Sequence, residues 1–315
     1  MSDPTVTQDL IKGADEPAAS PVAVRGDRRS LWRDTWDILK RRKIFWVSLV
    51  MLILFLLMAA FPTLFTHKDP EYATLAKSME GPSADAWFGY DLQGRDVWAR
   101  TIYGARTSII VGVLATLATI LLGGLTGVLA AYFGRWIDAI VSRVGEMFLG
   151  LPYVLGAIII LGTVAPAQSN PGKAMIMAVV IIVLALLGWP ILMRIARSAV
   201  IQAKHQDYVQ AARALGAGPL RIIFRHLLPN SLAPILVYAT ITIGSYIGAE
   251  ATLSLLGIGL RPPVISWGIA IADHASYMRT GAHALLFPAA FLSLCVLTFV
   301  MLGEAVRDAL DPKLR

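Results

Sequence analysis

Residues 44–61 read IFWVSLVMLILFLLMAAF, an apolar run in which Ser48 is the one polar residue. A helix needs about 20 mostly apolar residues to cross the hydrocarbon core of a bilayer. This stretch therefore predicts a membrane-spanning helix. It starts 43 residues into the chain, and no small-x-small cleavage site follows it. We therefore expect an uncleaved first helix and not a signal peptide.

Five further apolar runs bring the number of predicted spans to six. The third is the weakest, because Asp138, Arg143 and Glu146 lie just before it, and the fifth runs into Glu250. We predict an all-α polytopic membrane protein with six transmembrane helices. The predicted spans are 44–61, a segment within 107–133, about 147–164, 174–193, about 232–249 and about 285–302.

Composition and charge agree with a membrane protein. Hydrophobic residues make up 56% of the 315-residue chain and charged residues 16%, whereas a soluble domain is about half apolar and about a quarter charged. These values exclude a disordered chain. The net charge of +7 is more typical of an orientation signal than of nucleic-acid binding. With the amino terminus inside, the inner segments hold 20 Lys and Arg and the outer segments 8. This bias predicts both termini in the cytoplasm, with lipid and not nucleic acid around the chain.

The amino-terminal segment differs from the rest of the chain. Residues 1–30 are rich in Asp, Pro, Ala, Ser and Thr, which predicts a disordered tail. A basic stretch follows and ends at Lys43. The chain thus divides into a cytoplasmic segment, 1–43, and a membrane domain, 44–315.

The largest predicted outer loop spans 66–106. Asp91 and Asp96 are candidate helix N-caps in this loop. Trp98, Ile102 and Ala105 then fall at i, i+4 and i+7, on one face of a short helix. The spacing leaves two alternatives open: a helix lying on the outer membrane surface, or a docking or gating element.

The predicted inner loop, 194–229, is long enough for two short helices and holds six Lys and Arg against one acid, Asp207. Residues 207–215 predict a helix with Asp207 at its favourable amino end. Gly216 suits the left-handed position that ends a helix, and Pro219 suits the first turn of the next. We expect Pro229 to stop this second helix.

Apolar residues in this loop predict an exposed face. Val209, Ala212 and Leu215 are expected to share one side of the first helix, and Ile222 to continue it on the second. An exposed apolar face rimmed by arginines suits a protein partner. A helix folded back on the membrane, where basic residues meet anionic lipid, is the alternative. The pattern leaves both open.

The order of residues in this loop resembles the EAA signature of permease subunits in bacterial binding-protein-dependent ABC importers. In that signature Glu-Ala-Ala is followed by Gly four residues after the last alanine and, after nine more residues, by Ile-x-Leu-Pro. The chain keeps Ala211-Ala212, Gly216 and Leu228-Pro229 at this spacing. It departs from the signature at Gln210 and His226.

Three further stretches are similar to the C-type subunits of dipeptide and oligopeptide permeases. They are 88–108, with FGYD, GRD and YGARTS; 250–268, with EAxLSxLGxG, PP and SWG; and 303–312, with RDALDP. Together the matches cover about residues 87–315, in order.

The resemblance implies a type I ABC importer permease fold in a bacterial cytoplasmic membrane, with 44–315 as the permease domain. The chain would form half of the translocation pathway with a homologous B-type permease. Two ATPase subunits, which hold ATP and Mg²⁺, would dock on the permeases, and an extracytoplasmic peptide-binding protein would deliver dipeptides or oligopeptides. We assign ATPase coupling to Asp207, Gln210, Ala211, Ala212, Arg213, Gly216, Ala217, Leu228 and Pro229, and outer docking or gating to Asp91, Gly94, Arg95 and Asp96.

Other classes of function fit the sequence less well. The chain has no G-x-x-x-x-G-K-[ST] loop, so we expect ATP hydrolysis on partner subunits and no catalytic residue or cofactor here. The five histidines are scattered and there is one cysteine, so we expect no metal site. An intramembrane protease would need a base within a span, and no histidine lies in one. A channel or receptor would not explain the inner loop.

Two features of the predicted spans remain. Glu250 ends the fifth span, and an ionisable residue in a membrane segment is a functional hypothesis by default. Alternatively it lies at the outer interface, paired with an arginine or capping the short helix that follows. In span two, Gly123 and Gly127 permit close helix packing.

Overall fold

The computed structural model describes residues 36–164 and 172–310, and its secondary structure is helical. The predicted tail of residues 1–30 lies outside the described residues. Within the described ranges, extended pairing is limited to isolated bridges between Ala73 and Arg95 and between Tyr90 and Asp96. The principal helices are α1 Lys43–Ala60, α2 Val97–Phe133, α3 Arg135–Leu149, α4 Tyr153–Val164, α5 Lys173–Lys204, α6 Asp207–Ala214, α7 Pro219–Leu255, α8 Trp267–His274 and α9 Ala282–Leu310.

Five of these helices, α1, α2, α5, α7 and α9, are long and apolar enough to cross a membrane. They contain the predicted first, second, fourth, fifth and sixth spans. The all-α polytopic fold is therefore confirmed. Helix α1 matches its predicted span to within one residue at each end, whereas the other four helices extend beyond theirs, because the helical backbone continues into polar sequence.

The third predicted span, 147–164, is not one helix. It falls across α3 and α4, which are bent by 92° at the break between them. Pro152 lies in this break, just before Tyr153. A proline has no N–H for the helical ladder and disfavours helical dihedrals at the residue before it. Hydropathy therefore identified the apolar residues, and the proline divided them between two helix directions.

Of the two alternatives for the stretch after Asp96, the short helix on the membrane surface is wrong. Its residues are the first turns of α2, which starts at Val97 and runs unbroken to Phe133, with a π-helical stretch at Ile120–Gly124. Ile102 and Ala105 are fully buried, so the amphipathic face packs on protein and not on lipid. Helix α2 thus begins within the predicted outer loop, about ten residues before its predicted end.

Helix α7 is central and packs against α9, α2 and α5. On one side, Phe55 of α1, Trp267 of α8 and Phe299 of α9 belong to one buried cluster. Between α2 and α5 the packing is closer still. A Cβ added at Gly123 or Gly127 would lie 2.6 or 2.5 Å from a backbone carbonyl oxygen of α5. The predicted packing role of the two glycines is confirmed.

Candidate functional site

The turn between α6 and α7 has the geometry that the sequence predicted. Gly216 has φ +79°, and its N–H donates to the Arg213 carbonyl at 2.9 Å. The Ala217 N–H reaches back to the Ala212 carbonyl at 3.0 Å. These two bonds form a Schellman cap, which needs a residue with positive φ at this position. Pro219 follows in the first turn of α7, as expected.

The two sides of α6 differ from the prediction. Val209 is fully buried in a cluster with Val200 of α5 and Leu227 of α7, whereas Leu215 is 88% exposed. The predicted shared face of Val209, Ala212 and Leu215 is therefore wrong. Each three-residue step falls about 60° short of a full turn, so over six residues the side chains diverge by about 120°.

Pro229 does not stop the second helix, contrary to the prediction. Helix α7 continues through it after a π-helical stretch at Ile223–Leu227. The Asn230 side-chain amide donates to the His226 carbonyl oxygen at 2.7 Å. The wider π turn and this side-chain bond accommodate the N–H that proline lacks. The helix that follows the α6–α7 turn is thus continuous with span five.

The α6–α7 turn presents a mixed apolar and basic surface, which we call the docking surface. Gly216 and Gly218 have nothing within 4 Å of where a Cβ would be. Apolar groups flanked by guanidinium groups, with open backbone between them, suit a protein partner that offers apolar and acidic groups. The docking surface comprises the exposed residues Tyr208, Arg213, Leu215, Leu220, Arg221, Phe224 and Arg225.

The nine residues assigned to ATPase coupling occupy different places in this segment. Ala212, Ala217 and Leu228 are half-buried, and Leu228 packs against the cluster beneath α6. They support the segment from below. The exposed members are Asp207, Gln210, Ala211, Arg213, Gly216 and Pro229.

Two side chains of α5 that lie in the predicted inner loop, 194–229, contact neighbouring helices. The Lys204 ammonium donates to the Ala131 and Tyr132 carbonyls at 3.1 and 2.7 Å, where it satisfies the carboxyl end of α2. Arg197 of α5 holds Asp138 of α3 by two parallel bonds of 2.6 Å each. Arg197 and Lys204 thus tie the carboxyl-terminal part of α5 to α3 and α2.

Residues 91–96, which we call the outer turn, contain the four residues predicted to act in docking or gating at the outer face. Asp96 is the N-cap of α2, with Oδ1 accepting from the Ala99 N–H at 2.9 Å, as predicted. Asp91 caps no helix, contrary to the prediction, and instead accepts from the Arg95 N–H at 2.9 Å and from Arg95 Nε at 2.7 Å. Gly94 has φ +72°, and a Cβ there would lie 1.9 Å from the Thr74 carbonyl oxygen.

These outer residues organise the loop from inside. Asp91 and Asp96 are buried, so their carboxylates are not free for a partner. Beside them lies a cavity of about 270 Å³, whose lining includes two lysines, Lys68 and Lys77, and two aspartates, Asp69 and Asp96, with Tyr90. Lys77 Nζ lies 5.0 Å from the Tyr90 ring centre and donates to its hydroxyl at 3.1 Å. Sequence reasoning missed this cavity, because its residues are too far apart in the chain to form a motif.

Glu250 is fully buried, and its partners are not the arginine that one of the alternatives placed beside it. Its carboxyl group instead accepts from Ser108 of α2, from Ser254 of α7 and from Ser266, the N-cap residue of α8. No local pattern could identify Ser108 as a partner, since 142 residues separate it from Glu250. Across the part of the chain that the structure describes, no group of three His, Cys, Asp or Glu could hold a metal ion.

Two family models match the chain. The model described as binding-protein-dependent transport system inner membrane component matches residues 120–315. The model of the N-terminal transmembrane domain of oligopeptide transport permease C matches residues 30–82.

Curated relatives match over nearly their full lengths. The dipeptide transport system permease protein DppC of Alkalihalophilus pseudofirmus is 37% identical, over 95% of this chain and 96% of that one. The oligopeptide transport system permease protein OppC of Bacillus subtilis is 35% identical, over 98% and 99%. The glutathione transport system permease protein GsiD of Pectobacterium atrosepticum is 32% identical, over 95% and 96%.

Solved structures resemble the fold. An inward-facing conformation of the MetNI methionine ABC transporter has a TM-score of 0.53 at 20% identity, covering 67% of this chain and 96% of that one.

Proposed function

The chain belongs to the family of binding-protein-dependent transport system inner membrane components, and on this premise we propose that it is the C-type permease of an ATP-driven importer of dipeptides or oligopeptides. As a member of that family it is a bacterial inner-membrane transport subunit and not an enzyme. The C-type assignment is supported by the two relatives named for dipeptide and oligopeptide transport. A glutathione permease is also among the relatives, so the second candidate cargo is a short γ-linked peptide.

The docking surface on the α6–α7 turn carries this proposal. It places exposed apolar and basic side chains around an open Schellman turn, and it continues directly into α7. A cytoplasmic ATPase that binds this turn would move α7 with it, because the turn leads directly into the helix. In this proposal the nine coupling residues form or support the contact, and both chain termini lie on the same cytoplasmic side.

The partners follow from the family. Permeases of ABC importers work with a partner permease and ATPase subunits. We assign a homologous B-type permease, two ATPases that bind ATP and Mg²⁺, and a peptide-binding protein at the outer face. No cofactor is assigned to this chain. ATP-driven closure of the ATPases would switch a shared cavity between inward- and outward-facing states.

The outer turn would position the binding protein. Asp91, Gly94, Arg95 and Asp96 hold the loop in shape, and the neighbouring cavity is lined by both lysine and aspartate side chains. Charged groups of both signs on the binding protein would meet this cavity, and such complementary charges set the orientation of docking.

Transport in whole cells tests the proposal. A strain lacking this chain would be supplied with the wild type or with Gly216→Pro, and uptake of labelled dipeptides, oligopeptides and glutathione would be measured. We expect the wild type to restore uptake of a peptide and Gly216→Pro to abolish it at equal membrane abundance. If the wild type restores uptake of none of these peptides, the proposed cargo is refuted. If both chains restore uptake equally, the proposed coupling role of the turn is refuted.

A further inference from the structure

Glu250 lies at the outer end of α7, one turn before the helix ends at Leu255. It is completely buried, in a segment long and apolar enough to cross a membrane. A carboxyl group in such a place is costly unless its oxygens accept hydrogen bonds. Its partners therefore determine what it does.

Three serine hydroxyls on three helical elements converge on this carboxyl group. Ser254 of α7 and Ser266 at the start of α8 donate to Oε1 at 2.9 and 3.0 Å. Ser108 of α2 donates to Oε2 at 3.1 Å. Glu250 thus joins α2, α7 and α8 at one point.

Each serine also receives a backbone N–H, so each hydroxyl acts as a relay. The Ile269 N–H donates to Ser266 Oγ at 3.1 Å, and the Trp267 N–H donates to Ser108 Oγ at 3.3 Å. The third serine is Ser254, whose Oγ accepts from the Leu260 N–H at 3.1 Å. A hydroxyl has a single hydrogen to donate, and here it is directed to Glu250. The first turn of α8 is therefore held by two relays that end on the same carboxyl group.

Close backbone packing keeps this joint tight. A Cβ at Gly268 would lie 2.7 Å from Ala251 Cα and 2.8 Å from Glu250 Oε1. Trp267 is fully buried beside it, and its indole N–H donates to the Thr101 carbonyl of α2 at 2.8 Å. There is no room in which α8 could slide on α7.

The joint connects the outer loop to the inner segment. At the far end of α8, the Leu92 N–H donates to His274 Nε2 at 3.3 Å. Because an N–H can only donate, Nε2 accepts and Nδ1 carries the proton that bonds the Ala270 carbonyl at 2.7 Å. At its other end, α7 begins at Pro219, next to the α6–α7 turn.

We propose that Glu250 is a positioning residue that fixes α8, and with it the outer turn, to α7, so that these elements move as one body and transmit binding-protein docking to the inner docking surface. This inference rests on the proposed function. It identifies the joint through which the outer face controls the ATPases. The joint is built from hydroxyl relays to one carboxyl group, which a single substitution can interrupt.

The test uses the assembled complex of this chain, its partner permease and the ATPases in lipid vesicles. Basal ATPase activity and activity with peptide-loaded binding protein are measured for the wild type and for Glu250→Gln. The glutamine keeps the shape but offers one acceptor oxygen and an N–H₂ donor, so at least one relay loses its acceptor. Thr298→Val is the matched control, because this buried hydroxyl donates to the Leu294 carbonyl of its own helix and, among the described residues, joins no second helix.

We expect Glu250→Gln to lower the stimulated-to-basal ratio at least about fivefold, the lower end of typical allosteric coupling. Basal activity and complex yield should stay unchanged, as should the ratio of Thr298→Val. If the wild type is stimulated and Glu250→Gln is stimulated equally, this inference is overturned and the proposed function stands. If the wild type complex has no stimulated ATPase activity, both are overturned.

A distance measurement tests the joint even if Glu250→Gln assembles poorly. Cys295, the one cysteine of the chain, is replaced by serine, and spin labels are placed at the exposed residues Leu256 and Tyr277, which flank the joint. We expect the same narrow distance distribution in the nucleotide-free and ATP-trapped wild-type complex. A shift between the two states would show that α8 moves against α7 and would overturn the inference.

Discussion

The α6–α7 turn allows a prediction about substitutions at Gly216. The expected loss of free energy follows from the φ angle of this one residue. Gly216 has φ +79°, and no atom lies within 4 Å of where a Cβ would be. An alanine there would meet no steric clash, so its cost is the left-handed backbone alone, about 1–2 kcal/mol. This cost corresponds to about a 5- to 30-fold loss of the native turn relative to its alternatives.

Two other substitutions bracket this value. Asparagine tolerates the left-handed region better than alanine, so Gly216→Asn should lose less. Proline cannot adopt φ +79° and removes the N–H that bonds Arg213, so Gly216→Pro should lose more. The matched control is Gly218→Ser, two residues on. Gly218 has φ −70° at the N-cap of α7, where serine is favoured.

The assay is the dissociation constant between the reconstituted permease pair and its ATPase subunits, measured by titration. We expect affinity to fall in the order Gly, Asn, Ala, Pro at position 216, with alanine weakening binding by up to about 30-fold, because the apparent affinity falls with the fraction of chains that hold the native turn. Gly218→Ser should bind like the wild type. Wild-type affinity for Gly216→Pro, or equal losses for Gly216→Ala and Gly218→Ser, would refute the role of the left-handed turn.

Three further predictions concern stability and packing. A Cβ at Gly188 would lie 1.8 Å from the Tyr246 hydroxyl oxygen, so Gly188→Ala should lower the melting temperature sharply and Tyr246→Phe should restore part of it; unchanged melting of Gly188→Ala would contradict this packing. Asp96→Ala removes the N-cap of α2 and should cost about 1 kcal/mol of unfolding free energy, and Asp96→Asn, which keeps a cap acceptor, should cost less; equal losses would argue against the cap. Arg197→Lys gives up the two-pronged bond to Asp138, and because the pair is partly exposed we expect about 0–1 kcal/mol, seen as faster amide exchange in α3; unchanged exchange would mean that the pair does not hold α3.

Features that depend on neighbouring residues were predictable. The apolar runs located five long helices, because an 18-residue apolar stretch has few alternatives to a membrane helix. The left-handed Gly216, the cap at Asp96 and the first-turn Pro219 are also local, since each follows from the backbone dihedrals or hydrogen bonds of one or two residues. The break at Pro152 also has a local cause, although the hydropathy that located the third span does not register a missing N–H.

The sequence by itself determined the class of fold, the positions of most spans and the conformation of the α6–α7 turn. Only the tertiary structure decided which charges are buried and with what partners. Glu250 ends an apolar run in the sequence, and it became a three-helix joint because folding brings Ser108 and Ser266 to its two oxygens. Hydrogen bonds between distant segments depend on helix packing, and the packing is set by the shapes of all the helices together, which no short pattern contains.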